Sequence, residues 1–450
     1  MPRSTDDNKE SYRKRLSQQE LDRVIRDHAR YLQRRSGGRR ACLRLVDLSH
    51  LEMSGRDLSE ADLSGANLYG ARIVGTVLAH ANLYGADLRL ANLTDADLTL
   101  ADMRGTCLRG AVLTGACMID TDLRDGVIVT PGSDGSLEPI SFDTTITELT
   151  CAKINNANLT RAKLANAFVM QTDLTDSVLR DARLIRTNLT NSDLTGCVLE
   201  GADLSDANLT GANLSGADLR NAKVIGCNMT NADLVGAIYD RNDLLKANLT
   251  NARVLKPSGS LRRPILDVLR DHALWTVTNG RSGERIDFSE LDLAESDFTG
   301  RNLSASLMRS VCLSDAKLIR AGLAMADMTF ADLRGADLTM ADLRGTNLQR
   351  ASLIGATLTQ ARMSPVEIAG ANKLTWSANL MRARLSDANL FEADMSHAQL
   401  SGAVLTGVDL RGANLTGANL QNADLSNARL DGCNMSDADL TDVTGLKKPA

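Results

Sequence analysis

Two histidines stand where acid–base chemistry would begin. His28 follows Asp27 and His272 follows Asp271, and an imidazole beside a carboxylate is part of a nucleophile-activating array. Neither pair is accompanied by a Ser or Cys nucleophile in a recognisable motif. The chain also lacks a P-loop, a dinucleotide-binding glycine pattern and metal-ligand spacing. Its eight cysteines are scattered without a CxxC pair. Cys197, Cys227 and Cys433 replace Ala at a small inward position, which reads as packing in a reducing compartment. No catalytic residue, cofactor or metal is assigned, and the chain is not read as an enzyme. Each imidazole is expected as a buried amphipathic ring with one nitrogen bonded to backbone.

The elements that must position these residues follow from a period of five. Apolar centres fall on positions ending in 3 or 8 from Leu43 to Ile128, and on 4 or 9 from about Leu149 to Val254. They return to 3 or 8 from Phe288 to Ile368 and move to 0 or 5 from Leu380 to Leu440. Neither the 3.6-residue period of a helix nor the 2.0 of a strand keeps such centres on one face. The chain must turn every five residues, and the Gly, Asn, Asp, Ser and Thr around each centre suit turns. A coil of four such turns cannot bury its own leucines, so coils must stack. A narrow interior also accounts for an aromatic content of only 3 %.

This pattern, sampled by Ala61-Asp62-Leu63-Ser64-Gly65 and Ala66-Asn67-Leu68-Tyr69-Gly70, resembles the pentapeptide repeat family. The resemblance implies an all-β fold, a right-handed quadrilateral β-helix or solenoid. It also implies the activity of some family members, which bind DNA gyrase by mimicking duplex DNA and confer quinolone or toxin protection.

Two lids are expected. Ser17-Gln18-Gln19-Glu20 has capping-box spacing, and Leu21, Val24, Ile25, His28 and Leu32 follow at helical intervals, so a helix is expected to end near Gly37-Gly38. Val24-Ile25-Arg26-Asp27-His28-Ala29-Arg30-Tyr31 reappears as Val268-Leu269-Arg270-Asp271-His272-Ala273-Leu274-Trp275. An exposed first coil invites end-to-end aggregation unless it is covered. The duplication therefore divides the chain into a basic N-terminal segment with a capping helix (1–40), a first solenoid (41–256), a hinge with a second capping helix (257–287) and a second solenoid (288–445). His28, Tyr31, His272 and Trp275 are assigned to the caps. Arg56 and Arg301 join them at the inward small position, where a guanidinium needs lid carboxylates or helix-end carbonyls as partners.

The surface supplies the partner expectations. Stacking every fourth repeat aligns Tyr69, Arg89 and Arg109 in one column and Tyr84, Arg104 and Arg124 in the next. They form a candidate surface for a protein or anionic partner, beside an insertion at 129–148 that is expected as a projecting hairpin carrying Asp134. A shorter irregularity at 369–379 contains Trp376, whose expected place is the core. Residues 1–40 hold twelve Lys/Arg and six Asp/Glu in a chain whose net charge is −5, so an anionic partner could also bind there. The alternating Asp/Asn exterior argues against a long binding groove, and nucleic acid is not the expected partner. With no helix after Leu440, the C-terminal end is expected to be uncapped and open to self-association. No apolar run reaches the length of about eighteen residues that spans a bilayer, and a cytoplasmic location is expected. The favoured function is a non-enzymatic scaffold presenting rigid β-helical rods to protein partners.

Overall fold

The computed structural model describes residues 14–126, 129–131, 137–139, 146–368 and 374–446. The chain divides into two compact units, Met1–Arg253 and Val254–Ala450. In both, each repeat contributes a two-residue turn and one bridging residue. The bridges are parallel and join residues twenty apart, as in Asp62↔Asn82 and Asn82↔Asp102. Four repeats thus make one tier, and each tier bonds to the next. Within that register the Leu63 N–H donates to the Asn82 carbonyl (2.7 Å), the Asn82 N–H to the Ala61 carbonyl (2.9 Å), and the Ala66 N–H closes its own turn on the Leu63 carbonyl (3.0 Å).

The all-β, right-handed quadrilateral β-helix is corrected by this geometry. The named strands are two or three residues long, and every sheet is a two-stranded pair. Among the described residues there is no curled or closed sheet, and the repeats join through isolated bridges. The reason lies in the period itself. The turn takes two of five residues, and its second residue has a positive φ, as at Gly65 (62°) and Asp95 (56°). Extended backbone is interrupted before a second ladder pair can form. The rigid β-helical rods expected as a presenting surface fall with the β-helix.

The side chains explain the repeat. The Asn or Asp before each centre accepts a backbone hydrogen bond two residues on, as Asp62 Oδ1 does from the Ser64 N–H (3.1 Å), and this stabilises the turn. Leucines and alanines fill the interior, with Leu63, Leu68, Leu83 and Leu88 all buried. Where Thr121 and Cys197 replace Ala, the polar atom finds a partner: Thr121 Oγ1 donates to the Leu98 carbonyl (2.8 Å) and Cys197 Sγ to the Leu174 carbonyl (2.9 Å). Burial pushes the Cys227 thiol up to about 12, which makes it packing material.

The first unit opens with helix α1 (Gln18–Leu32), whose capping box is formed by Ser17 and Glu20. Leu21, Ile25 and His28 are its buried residues. The helix ends at Leu32, before Gly37-Gly38. Arg34 takes a left-handed φ of 54°, and the Arg34 and Arg35 N–H groups turn back to the Tyr31 and Arg30 carbonyls (both 2.9 Å). Strands β1 (Val129–Pro131) and β2 (Leu137–Pro139) pair antiparallel within the 129–148 insertion; Asp134 lies outside the described residues. Register resumes beyond it, with Cys107 bridged to Glu148. A single helical turn, α2 (Arg241–Leu244), interrupts the last repeats.

In the second unit β3 (Lys256–Pro257) runs parallel to β4 (Leu291–Asp292). Helix α3 (Ile265–Val277) buries Leu269 and His272, and Phe288 and Phe298 are the largest fully buried side chains, their rings 6.1 Å apart. Strands β5 (Val366–Ile368) and β6 (Leu374–Trp376) form an antiparallel pair. The bridge from Asn347 to Asn379 spans this second insertion.

Candidate functional site

At the helix-to-repeat junction of the first unit, His28 Nδ1 accepts the Ala41 N–H (3.0 Å), which leaves its proton on Nε2 to donate to the Ser59 carbonyl (2.9 Å). Tyr31 stacks on the ring at 5.8 Å. Burial lowers the imidazole pKa, against the opposing pull of the Ser59 carbonyl and Asp57. His272 repeats the arrangement: Nδ1 accepts the Ile286 N–H (3.1 Å) and Trp275 stacks at 5.6 Å. Burial lowers its pKa as well, opposed by the Ser304 carbonyl, although Nε2 lacks a hydrogen bond of full geometry. Asp27 and Asp271 do not orient these rings. The Asp27 carbonyl accepts the Arg39 N–H, and the Asp271 carboxylate pairs with Arg263. His28, used by backbone at both edges, has no nitrogen left for proton transfer, whereas His272 is used by backbone at Nδ1.

Arg56 and Arg301 are exposed, which corrects their inward placement. In the first tier the equivalent positions are Ala41, buried, and Val46 and Leu51, half-buried. The helix reaches the fourth side as well, through His28 on the Ser59 carbonyl, yet Arg56 itself stays in solvent. Ile286, Leu291 and Ser296 stand in the same relation to Arg301, which is exposed as well.

The Tyr/Arg columns come together, but as closed sets. Arg89 forks onto Asp87 (2.9 and 2.7 Å) and lies 5.6 Å over the Tyr69 ring. Arg104 forks onto Asp102 (2.9 and 2.7 Å) and lies 5.1 Å over Tyr84. Arg109 forks onto Glu148 (2.9 and 2.6 Å), and Arg124 onto Asp122 (2.9 and 2.7 Å). The Asp87 and Asp102 carboxylates hold their arginines firmly protonated. A bidentate pair satisfies the same fork that would grip an external anion. The device recurs in the second unit, where Arg411 forks onto Asp409 and covers Phe391 at 5.7 Å. Its signal lies in a carboxylate two residues before the guanidinium, as in Asp87-Leu88-Arg89, Asp102-Met103-Arg104, Asp122-Leu123-Arg124 and Asp409-Leu410-Arg411; Arg109, preceded by Cys107, takes Glu148 from beyond the insertion instead.

What the columns lack in free groups appears elsewhere. Trp376, expected in the core, is 55 % exposed. Its strand pairs with Val366 across β5–β6, and a Cβ on Gly345 would come within 3.2 Å of the Trp376 carbonyl and 3.4 Å of its indole Cδ1. Ile225 and Leu245 also face solvent, at 59 % and 77 % exposure. Among the described residues no group of His, Cys, Asp or Glu is placed to hold a metal, and no helix is long and apolar enough to cross a membrane.

The model of pentapeptide repeats matches eight times, over residues 41–78, 71–110, 152–191, 187–224, 217–254, 326–364, 376–407 and 409–444. No curated protein sequence matches the chain. Among solved structures, a trypsin-treated QnrB1, a plasmid-mediated fluoroquinolone resistance protein, is 19 % identical over 45 % of this chain and 93 % of its own, with a TM-score of 0.31. A pentapeptide repeat protein from the Arabidopsis thaliana thylakoid lumen is 30 % identical over 26 % of this chain and 70 % of its own (TM-score 0.17). One from the cyanobacterium Cyanothece 51142 is 29 % identical over 32 % and 90 % (TM-score 0.18). With the repeat model matching more than half of its residues, the chain belongs to the pentapeptide repeat family.

Proposed function

We propose that the chain is a non-catalytic protein-binding member of its family. The reading is carried by Trp376, an indole held on a paired strand and left 55 % exposed. Tryptophan offers a large contact area with few rotors to freeze, and it is enriched among the residues that dominate protein interfaces. The other tryptophan, Trp275, is already committed to stacking on His272. The paired Tyr/Arg columns support the same reading by contrast, since their charges are spent internally. The eight free cysteines support a reducing, cytoplasmic setting.

A photo-crosslinking phenylalanine analogue in place of Trp376, introduced in the native cell, tests the proposal when compared with the same analogue at exposed Asp431. A protein adduct specific to position 376 is expected. The purified partner should then bind the Trp376→Ala chain at least about 30-fold more weakly, as for an interface hot spot. Equal adducts at both positions, or a partner indifferent to Trp376→Ala, would sink it.

A further inference from the structure

The outer face of helix α1 collects cations that the fold does not use. Arg23, Arg26 and Arg30 follow one another at helical spacing, and Arg34, Arg35 and Arg39 continue from its C-terminal end; all six are exposed. Among the described residues none of their guanidinia makes a hydrogen bond or an ion pair. Of the nearby acids, Glu20 closes the capping box and Asp22 accepts from Gln18, and the Asp27 carboxylate pairs with none of the six. This is the opposite of the repeats, where Arg89, Arg104, Arg124 and Arg411 are each forked by a neighbouring aspartate.

The duplicated helix supplies an internal control. The packed residues have counterparts of the same kind in α3, with Ile25, His28 and Tyr31 answered by Leu269, His272 and Trp275. Arg40, whose Nε donates to the Glu60 carbonyl, is answered by Arg285 donating to the Ala305 carbonyl. The free arginines are not matched in this way. Arg23 and Arg30 stand where α3 has Asp267 and Leu274, and Arg34 and Arg35 where Thr278 and Asn279 follow it. Arg39, whose N–H donates to the Asp27 carbonyl, stands where Glu284 donates to that of Asp271. Arg26 is matched by Arg270, which pairs with Asp267. Covering the first tier therefore does not require this charge.

We propose that the arginine face of α1, extended by Arg34, Arg35 and Arg39, binds the phosphate backbone of duplex nucleic acid without regard to sequence. This inference stands apart from the protein contact proposed at Trp376. Guanidinium forks match phosphate oxygens bidentately, and Arg23 to Arg30 span about 10 Å of helix. A protein partner would call for an apolar centre within the patch, and these six positions contain none. Insertion into a lipid surface needs a free apolar helix face, whereas Leu21, Ile25 and His28 are already buried. The alternating Asp/Asn exterior that argues against a long binding groove holds for the repeats and does not extend to this helix.

The test is fluorescence anisotropy of short labelled duplexes of two unrelated sequences, titrated with the full chain between about 50 and 200 mM salt. Both duplexes should bind alike, and affinity should fall steeply with salt. Replacing Arg23, Arg26 and Arg30 together by Gln should weaken binding by tenfold or more and reduce the salt slope by about three, near 0.9 per phosphate released. Replacing the forked Arg104, Arg124 and Arg411 by Gln should leave both quantities unchanged. Circular dichroism verifies folding, and an Arg35→Gln/Arg39→Gln chain provides a second reading if the triple variant misfolds. The proposal is overturned if the chain fails to bind duplex at the lowest salt, if the forked-arginine variant loses as much as the helix variants, or if phosphatidylserine vesicles bind while duplex does not.

Discussion

His28 Nδ1 accepts the Ala41 N–H at 3.0 Å, so the first backbone group of the repeat interior is satisfied by a side chain of the helix that covers it. The second unit makes the same bond between His272 and Ile286 at 3.1 Å. His28→Leu keeps much of the ring's apolar bulk but leaves the Ala41 N–H and the Ser59 carbonyl without their partner. A loss of about 1–3 kcal/mol is expected. Hydrogen exchange should accelerate at Ala41 and its neighbours while the distant tiers of the first unit exchange as before.

Acidification should loosen both junctions. Burial places each folded-state pKa below the ordinary 6.5, so the unfolded chain binds more protons as pH falls through the window beneath 6.5. Stability from this source is complete above that value and declines below it. Thermal unfolding compared at about pH 7.5 and pH 5.5 should show the decline, and a His28→Gln/His272→Gln chain should show less of it. Glu20, whose pKa the Ser17 hydrogen bonds hold below 4.5, acts only at lower pH.

Surface arginines should divide by what they hold. Arg56→Ala and Arg301→Ala remove exposed side chains and should change unfolding free energy by less than about 0.5 kcal/mol. Arg220→Ala withdraws the fork from Asp218, whose side chain is fully buried, and should cost about 1–3 kcal/mol. Chemical denaturation of the three variants ranks them directly. Equal losses would refute the distinction.

Two glycines separate conformation from space. Gly105 has φ 65°, and a Cβ there would lie 2.6 Å from the Gly126 carbonyl oxygen. Gly55 has nearly the same φ, 66°, with nothing within 4 Å of its Cβ site. Gly55→Ala should cost about 1 kcal/mol for the left-handed backbone alone. Gly105→Ala should cost clearly more, because backbone beside the insertion must shift, and urea midpoints compare the pair.

The five-residue spacing of apolar centres already contained the turns, the inward leucines and the places where register breaks, because each depends only on residues close in sequence. Ser17 and Glu20 announced a helix start, and the paired His28 and His272 segments announced two helices. The sequence did not contain the length of the extended runs. One left-handed residue per repeat cuts them to single bridges, so the expected β-helix gives way to turns joined twenty residues apart. Nor did it place Arg56, which is exposed rather than inward, or Trp376, which is set outward by a strand pair lying across Gly345. Charge shows the difference most plainly. Arg89 and Arg23 are the same side chain, but Asp87 lies within reach of one guanidinium, and among the described residues no acid forks the other. A residue's turn is written in its neighbours along the chain, whereas its availability to a partner depends on which groups the tiers and the helix bring beside it.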